Sequence, residues 1–196
     1  RRDLDLKLST REASLSEMVS VIPATYRKQL DEYTFEGEGG LEVKISGSFK
    51  ESDIPSVHAS LKVDKGEIGR KGSGTSLEDV SLTATYQLAQ NQTKEQLTIT
   101  GINAKLKNGF ISGNLSMSGF TSSQIKAALK ADVDLEDARE LLALDTITSL
   151  DGRLLLDGYF DGRLANLNKP ALTDLPQCRL SGKVQIAKAQ LGLKGY

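Results

Sequence analysis

The side chains that most often carry chemistry are scarce in this 196-residue chain, and they are not grouped. His58 is the single histidine. It sits on the polar side of an alternating run and has no neighbour in sequence that would make it a general base. Cys178 is the single cysteine. It follows Pro176-Gln177 at a strand entrance, with no histidine near it in sequence, and so reads as a small packed hydrophobe rather than a nucleophile. A zinc site would need carboxylates for its remaining ligands, and no close cluster supplies them. Asp132, Asp134, Glu136 and Asp137 are close together, but they lack the spacing and the glycine of a calcium loop. Carboxylates at a helix start stabilise its dipole in any case. Gly37-Glu38-Gly39-Gly40 fails as a phosphate loop, because a strand follows it and no Gly-Lys-Ser/Thr closes it. Gly69-Arg70-Lys71-Gly72-Ser73-Gly74 offers cations to anionic head groups, yet reads more simply as a solvated turn. Asn91-Gln92-Thr93 and Asn114-Leu115-Ser116 match the glycosylation tripeptide, a pattern common by chance. The sequence therefore predicts a non-enzymatic chain with no catalytic residue, cofactor or metal.

Composition excludes further classes. The formal net charge is −1, so there is no basic excess to hold a nucleic-acid backbone. Tryptophan is absent and aromatics make up 5%, too few for a site that stacks bases or sugars. With one cysteine, no intrachain disulfide staples the fold. No apolar run reaches the length of a membrane span, and no signal peptide is visible. The chain opens abruptly at Arg1-Arg2-Asp3-Leu4 and reads as a segment of a longer protein.

The elements that would position any site are mostly strands. Period-two alternation runs through Leu4–Leu8, Leu41–Phe49, Val57–Val63, Val80–Leu88, Leu97–Ile99, Ile102–Leu106, Ile111–Met117, Ile125–Leu135, Leu154–Phe160, Leu180–Ile186 and Gln190–Leu193. One face of each run is apolar and the other is rich in Ser, Thr and Lys, which predicts an antiparallel sheet wet on one side. Turns are expected at Asp64-Lys65-Gly66, Lys107-Asn108-Gly109, Asp151-Gly152 and Asp161-Gly162. Asn108-Gly109 is the strongest two-residue hairpin signal among them.

Two stretches switch to helical spacing. In the first, Leu15, Met18, Val19 and Ile22 share a face, with Ser14 or Ser16 as N-cap and Glu17 in the first turn. Pro23 ends or kinks that helix, and a second short one resumes through Tyr26–Leu30. In the second, Asp134 caps a helix running to Leu144, with Leu135, Ala138, Leu141 and Leu142 on one face and Asp137 at N3 as a short capping box.

Together these predict a mainly β fold with two short helices (α+β): an antiparallel, curled or trough-like open sheet built from two related strand-helix-strand repeats. The first repeat spans residues 1–120, with its helix near 14–30. The second, partial repeat spans 121–196, with its helix near 134–144. Matching elements include Leu4–Thr10 with Ala127–Val133, and Asp53-Ile54-Pro55 with Asp174-Leu175-Pro176.

Three phrases carry a resemblance. The first is Phe35-Glu36-Gly37-Glu38-Gly39-Gly40 leading into Leu41-Glu42-Val43-Lys44-Ile45-Ser46-Gly47-Ser48-Phe49. The second is Ala59-Ser60-Leu61-Lys62-Val63-Asp64-Lys65-Gly66-Glu67-Ile68. The third is the strand start Leu77-Glu78-Asp79-Val80-Ser81-Leu82. Phrases of this kind, in this order over most of the chain, resemble the AsmA-like proteins of the Gram-negative periplasm. The membrane helix at the start of that family has no counterpart here, which fits a periplasmic portion.

The resemblance implies a long sheet curled into a trough, with an apolar concave face that carries or shields acyl chains of phospholipid or lipopolysaccharide. It implies anchoring in the inner membrane through a region outside this chain, and a part in outer-membrane assembly and lipid homeostasis. The candidate lipid-groove lining is Leu41, Val43, Ile45, Leu61, Val63, Leu82 and Leu115. The plainer alternative makes these residues an ordinary core under the two helices or a facing sheet. A non-catalytic structural or adhesive β module of a cell-envelope protein is the competing function. Open strand edges at both ends of such a segment would also let it pair artificially with another copy, so a dimer would not by itself be biological.

Overall fold

The computed structural model describes residues 3–20, 27, 30–48, 53–92, 94–119, 123–142, 144, 147–164 and 178–193. Among these residues nine strands are present: β1 (Asp3–Ser14), β2 (Tyr33–Ser48), β3 (Ser56–Arg70), β4 (Ser76–Leu88), β5 (Gln96–Leu106), β6 (Gly109–Ser118), β7 (Ser123–Asp134), β8 (Ile147–Leu164) and β9 (Arg179–Leu193). They form a single open sheet in sequence order, β1 to β9. Every adjacent pair is antiparallel. Two short helices follow odd-numbered strands, α1 (Leu15–Ser20) after β1 and α2 (Leu135–Leu141) after β7. Both therefore sit at the same end of the sheet, where the odd strands finish.

The alternation seen in the sequence becomes cross-strand ladders, because directly opposed residues share a face. One ladder runs Leu41, Leu61, Ala84, Ile99, Leu115, Ala127, Phe160 and Leu180, from β2 to β9. The next runs Leu8, Val43, Ala59, Tyr86, Leu97, Met117 and Ile125. On the opposite, wet face Lys130 and Asp157 stand in register and pair at 3.2 Å. Arg153 holds Asp132 at 2.5 Å nearby.

Three of the expected turns are not turns. Asp64-Lys65-Gly66 lies inside β3, where shifts of register between Val63 and Ile68 absorb the irregularity. Asp151-Gly152 and Asp161-Gly162 both lie inside the 18-residue β8. The glycines there answer to close approach rather than to chain reversal. A Cβ on Gly152 would sit 2.7 Å from the Ala187 carbonyl oxygen, and one on Gly162 would collide with Cys178. The hairpin at 107–109 is present, but Leu106 pairs with Gly109 and the loop residues are Lys107-Asn108. Lys107, not Gly109, has the left-handed backbone, with φ of 43°. The paired runs Leu97–Ile99 and Ile102–Leu106 prove to be one strand bulged between Ile99 and Ile102, and Leu180–Ile186 joins Gln190–Leu193 as β9.

Helix α1 starts at Leu15, directly after Ser14, with Glu17 in its first turn as expected. Ile22, the Pro23 kink and most of the Tyr26–Leu30 helix lie outside the described residues, as does the Asp174-Leu175-Pro176 connection. Leu15 and Met18 pack on Val63, with Phe35, Leu41, Leu61 and Leu82 around them. For α2, Asp134 is the N-cap, and its carboxylate accepts from the Glu136 amide at 2.9 Å. Asp137 does not form the expected capping box. It points into the protein and takes the Lys107 ammonium at 2.6 Å.

Beneath α2, Leu106, Val133 and Leu141 form a buried cluster with Leu77, Ile111, Ala131 and Leu154. Those sheet residues come from five consecutive strands, β4 to β8. The last turn of α2 also reaches further. Tyr33 Oη on β2 donates to the Leu141 carbonyl at 3.2 Å, and Arg70 on β3 donates to the Glu140 carbonyl at 3.4 Å. Thr75 Oγ1 donates to the Glu140 carboxylate at 2.5 Å.

Candidate functional site

All seven residues of the expected lining fall on one face of the sheet. Leu41 opposes Leu61, and Val63 opposes Leu82. Val43 and Ile45 follow Leu41 along β2 with the same orientation, and Leu115 joins through Ala84 and Ile99. The alternation also extends this face where the sequence reading did not name residues. Tyr86, Leu97, Met117, Phe160 and Leu180 belong to it through the same ladders. The signal for them was present, because the same period of two runs through β4, β5, β6, β8 and β9.

Cover over this face is uneven along the strands. At the helix end it is a sealed core: Val63 is 5% exposed, Val80 4%, Leu106 1% and Val133 4%. Of the seven, Val63 is the fully buried one, and with Leu41, Leu61 and Leu82 it packs against α1 or its cluster. Those four thus carry the core role that the plainer reading gave them. Val43, Ile45 and Leu115 lie toward the other end, beyond the two helix clusters, and are half-buried. Their neighbours Val57, Leu88, Leu97, Met117 and Ile125 are half-buried as well. The face thus divides into a helix-covered end and an apolar end that the described residues leave partly open.

Among the described strand residues, the charged side chains at this end lie on the wet face, and several charged groups elsewhere are paired. Glu136 receives two hydrogen bonds from Arg139 and one from the Leu150 amide at 3.1 Å. The Arg139 guanidinium, then that amide, hold its carboxyl down at about 2. Hydrogen bonds from Arg153 and from Lys105 likewise lower Asp132 and Asp79. The four acids that suggested calcium are therefore dispersed: Asp132 to Arg153, Asp134 to the helix cap, Glu136 to Arg139 and Asp137 to Lys107. Among the described residues no group of three or more His, Cys, Asp and Glu could hold a metal ion.

His58 is exposed on the wet face, opposite Lys44 and Gln87. Cys178 is half-buried against Gly162. Arg70 and Lys71 of the basic turn both donate to backbone carbonyls, of Glu140 and Asp31. A broad polar depression lies on the wet face beside the β2 glycines, but charges within it pair with each other, Lys7 with Glu42 and Lys62 with Asp64.

No protein-family model matches the chain, and neither does any curated protein or solved structure. The functional reading therefore rests on the residues themselves. Among the described residues no helix is long and apolar enough to cross a membrane.

Proposed function

We propose that this chain is a periplasmic segment of an AsmA-like cell-envelope protein, anchored in the inner membrane through a region outside it, and that its open apolar sheet face shields lipid acyl chains. The observation that carries this reading is the half-buried ladder of Val43, Ile45, Leu115 and their neighbours, which lies beyond the clusters under α1 and α2 and which, among the described residues, no helix covers. The mechanism is passive. Each CH₂ taken from water onto such a face contributes about 0.8 kcal/mol, and no bond is made or broken. Phospholipid or lipopolysaccharide acyl chains are the ligands, in the service of outer-membrane biogenesis and lipid homeostasis.

In this proposal the sheet is curled, with the apolar face inside. Two observations support the curl. Groups from β2 to β8 all meet α2 or its cluster. In a flat sheet six strand intervals span about 29 Å, whereas the seven residues of α2 rise only about 10 Å. The ladders are also interrupted by several shifts of register, and bulges of this kind bend and twist strands. Two related repeats are part of the same proposal, and the β1–α1–β2 and β7–α2–β8 units support it, each a short helix between neighbouring antiparallel strands.

The test is to incubate the purified chain with phospholipid vesicles, remove them, and record native mass spectra. Bound phospholipid or fatty-acid masses are expected. Clean, lipid-free protein, with no affinity for a fluorescent fatty acid, returns the chain to the scaffold reading.

A further inference from the structure

The helix end of the sheet holds two cores that share no buried residue. Leu15 and Met18 of α1 are buried with Val63, and Phe35, Leu41, Leu61 and Leu82 surround them. Leu106, Val133 and Leu141 are buried under α2, with Leu77, Ile111, Ala131 and Leu154 around them. Among the described residues β4 is the strand common to both, through Leu82 in the first core and Leu77 in the second. That stretch of β4 is poorly tied on either side. Its ladder to β3 shifts register twice between Val63 and Ile68, and its ladder to β5 shifts twice between Glu78 and Thr83. Asp79, in the middle, has a left-handed backbone with φ of 49°. The β6–β7 and β7–β8 ladders run without a shift.

Helix α2 spans this seam. Its first turns are fixed to its own side: Glu136 accepts from the Leu150 amide, Arg139 donates to the Ile147 carbonyl at 3.2 Å, and Asp137 takes Lys107. Its last turn is held by the other side. Tyr33 on β2 donates to the Leu141 carbonyl at 3.2 Å, and Arg70 on β3 to the Glu140 carbonyl at 3.4 Å. Both carbonyls belong to the helix end, where partners within the helix run out and a cation suits the dipole. Thr75, in the β3–β4 turn and only 2% exposed, donates to the Glu140 carboxylate at 2.5 Å.

We propose that the last turn of α2 is a clasp that shuts the helix end of the trough, and that its release lets the two cores part about β4. Polar bonds hold the clasp, and parting leaves each core packed on its own helix, so the opening is local rather than global. The proposal rests on the acyl-chain reading and refines it. With the clasp shut, an acyl chain is confined to the open end of the face. With it released, the chain reaches between the cores.

Tyr33→Phe combined with Thr75→Val removes two donors of the clasp while keeping the shapes of the side chains. Hydrogen exchange, measured without lipid, should quicken about tenfold at the α2 and Tyr33–Phe35 amides, with the β6–β7 and β7–β8 ladders unchanged. Unchanged exchange at the clasp, or an equal rise in those ladders, would overturn the proposal. The second arm uses a fatty acid with a diazirine on its tail. In the released variant its adducts should spread to Leu77, Leu82 and Leu106. A short bismaleimide joining Lys71→Cys to Leu142→Cys, in a Cys178→Ser background, should confine them to the open end. Adducts unmoved by release or by cross-linking would overturn the clasp and leave the acyl-chain reading standing. Adducts in no variant would overturn that reading, and the gating with it.

Discussion

Lys107, in the turn between β5 and β6, places its ammonium 2.6 Å from the Asp137 carboxylate on α2. Asp137 is only 6% exposed, so this contact gives an interior carboxylate its counter-ion and ties the turn to the helix. Removing one partner of such a pair strands the other. Lys107→Met should lower the melting temperature by several degrees, and by more than Asp137→Asn, which leaves behind only the half-exposed Lys107 ammonium, still reached by water. Thermal unfolding followed by circular dichroism compares the two.

The sealed end and the open end should respond differently to truncation. Leu106 is almost wholly buried under α2, so Leu106→Ala should cost about 2–5 kcal/mol. Val43→Ala, on the half-buried open end, should cost about 1 kcal/mol, in line with its partial burial and smaller loss of volume. Urea denaturation measures both, and equal losses would mean that the two ends are equally covered.

Glycine at position 66 makes room for α1. A Cβ there would lie 2.9 Å from Leu15 Cδ1 and 3.1 Å from Val63 Cγ1. Gly66→Val should destabilise by about 1–3 kcal/mol through overpacking. Adding Leu15→Ala to Gly66→Val should cost less than Leu15→Ala costs alone, because the new side chain occupies the space that Leu15 leaves. A double-mutant cycle in urea checks that coupling.

Acid should loosen α2 through Glu136. Its folded carboxyl is lowered from 4.5 to about 2, first by Arg139 and then by the Leu150 amide. A depressed carboxylate contributes stability above its unfolded value and loses it as pH falls toward the folded one. The contribution should be intact above about pH 5 and fade between 4.5 and about 2. Glu136→Gln should flatten the pH dependence of the melting temperature in that window. The pair is open to solvent on one side, so the effect should be about 1 kcal/mol or less.

Much of the fold was legible in the sequence because a half-wet sheet writes itself at period two. The strand runs, both helices, the Asp134 cap and the common face of Leu41, Val43, Ile45, Leu61, Val63, Leu82 and Leu115 all follow from spacing. Glycine misled where it served packing: Gly66, Gly152 and Gly162 resemble turn residues, yet sit inside strands because another group comes too near for a Cβ. The tie between Asp137 and Lys107 was hidden for a different reason. It joins groups 30 residues apart, and local helix-capping rules do not reach that far. The division of the apolar face was hidden as well, since it depends on where the helices fold back, not on which strand positions are apolar.

In the proposed function, acyl chains lie on the open end of that face. Irradiation of the chain with a fatty acid carrying a diazirine on its tail, followed by peptide mass spectrometry, tests it most directly. Adducts are expected at Val43, Ile45, Leu97, Leu115 and Met117, competed away by unlabelled phospholipid. Adducts confined to wet-face positions such as Lys44, His58 and Lys62, or none above a serum-free blank, would contradict it.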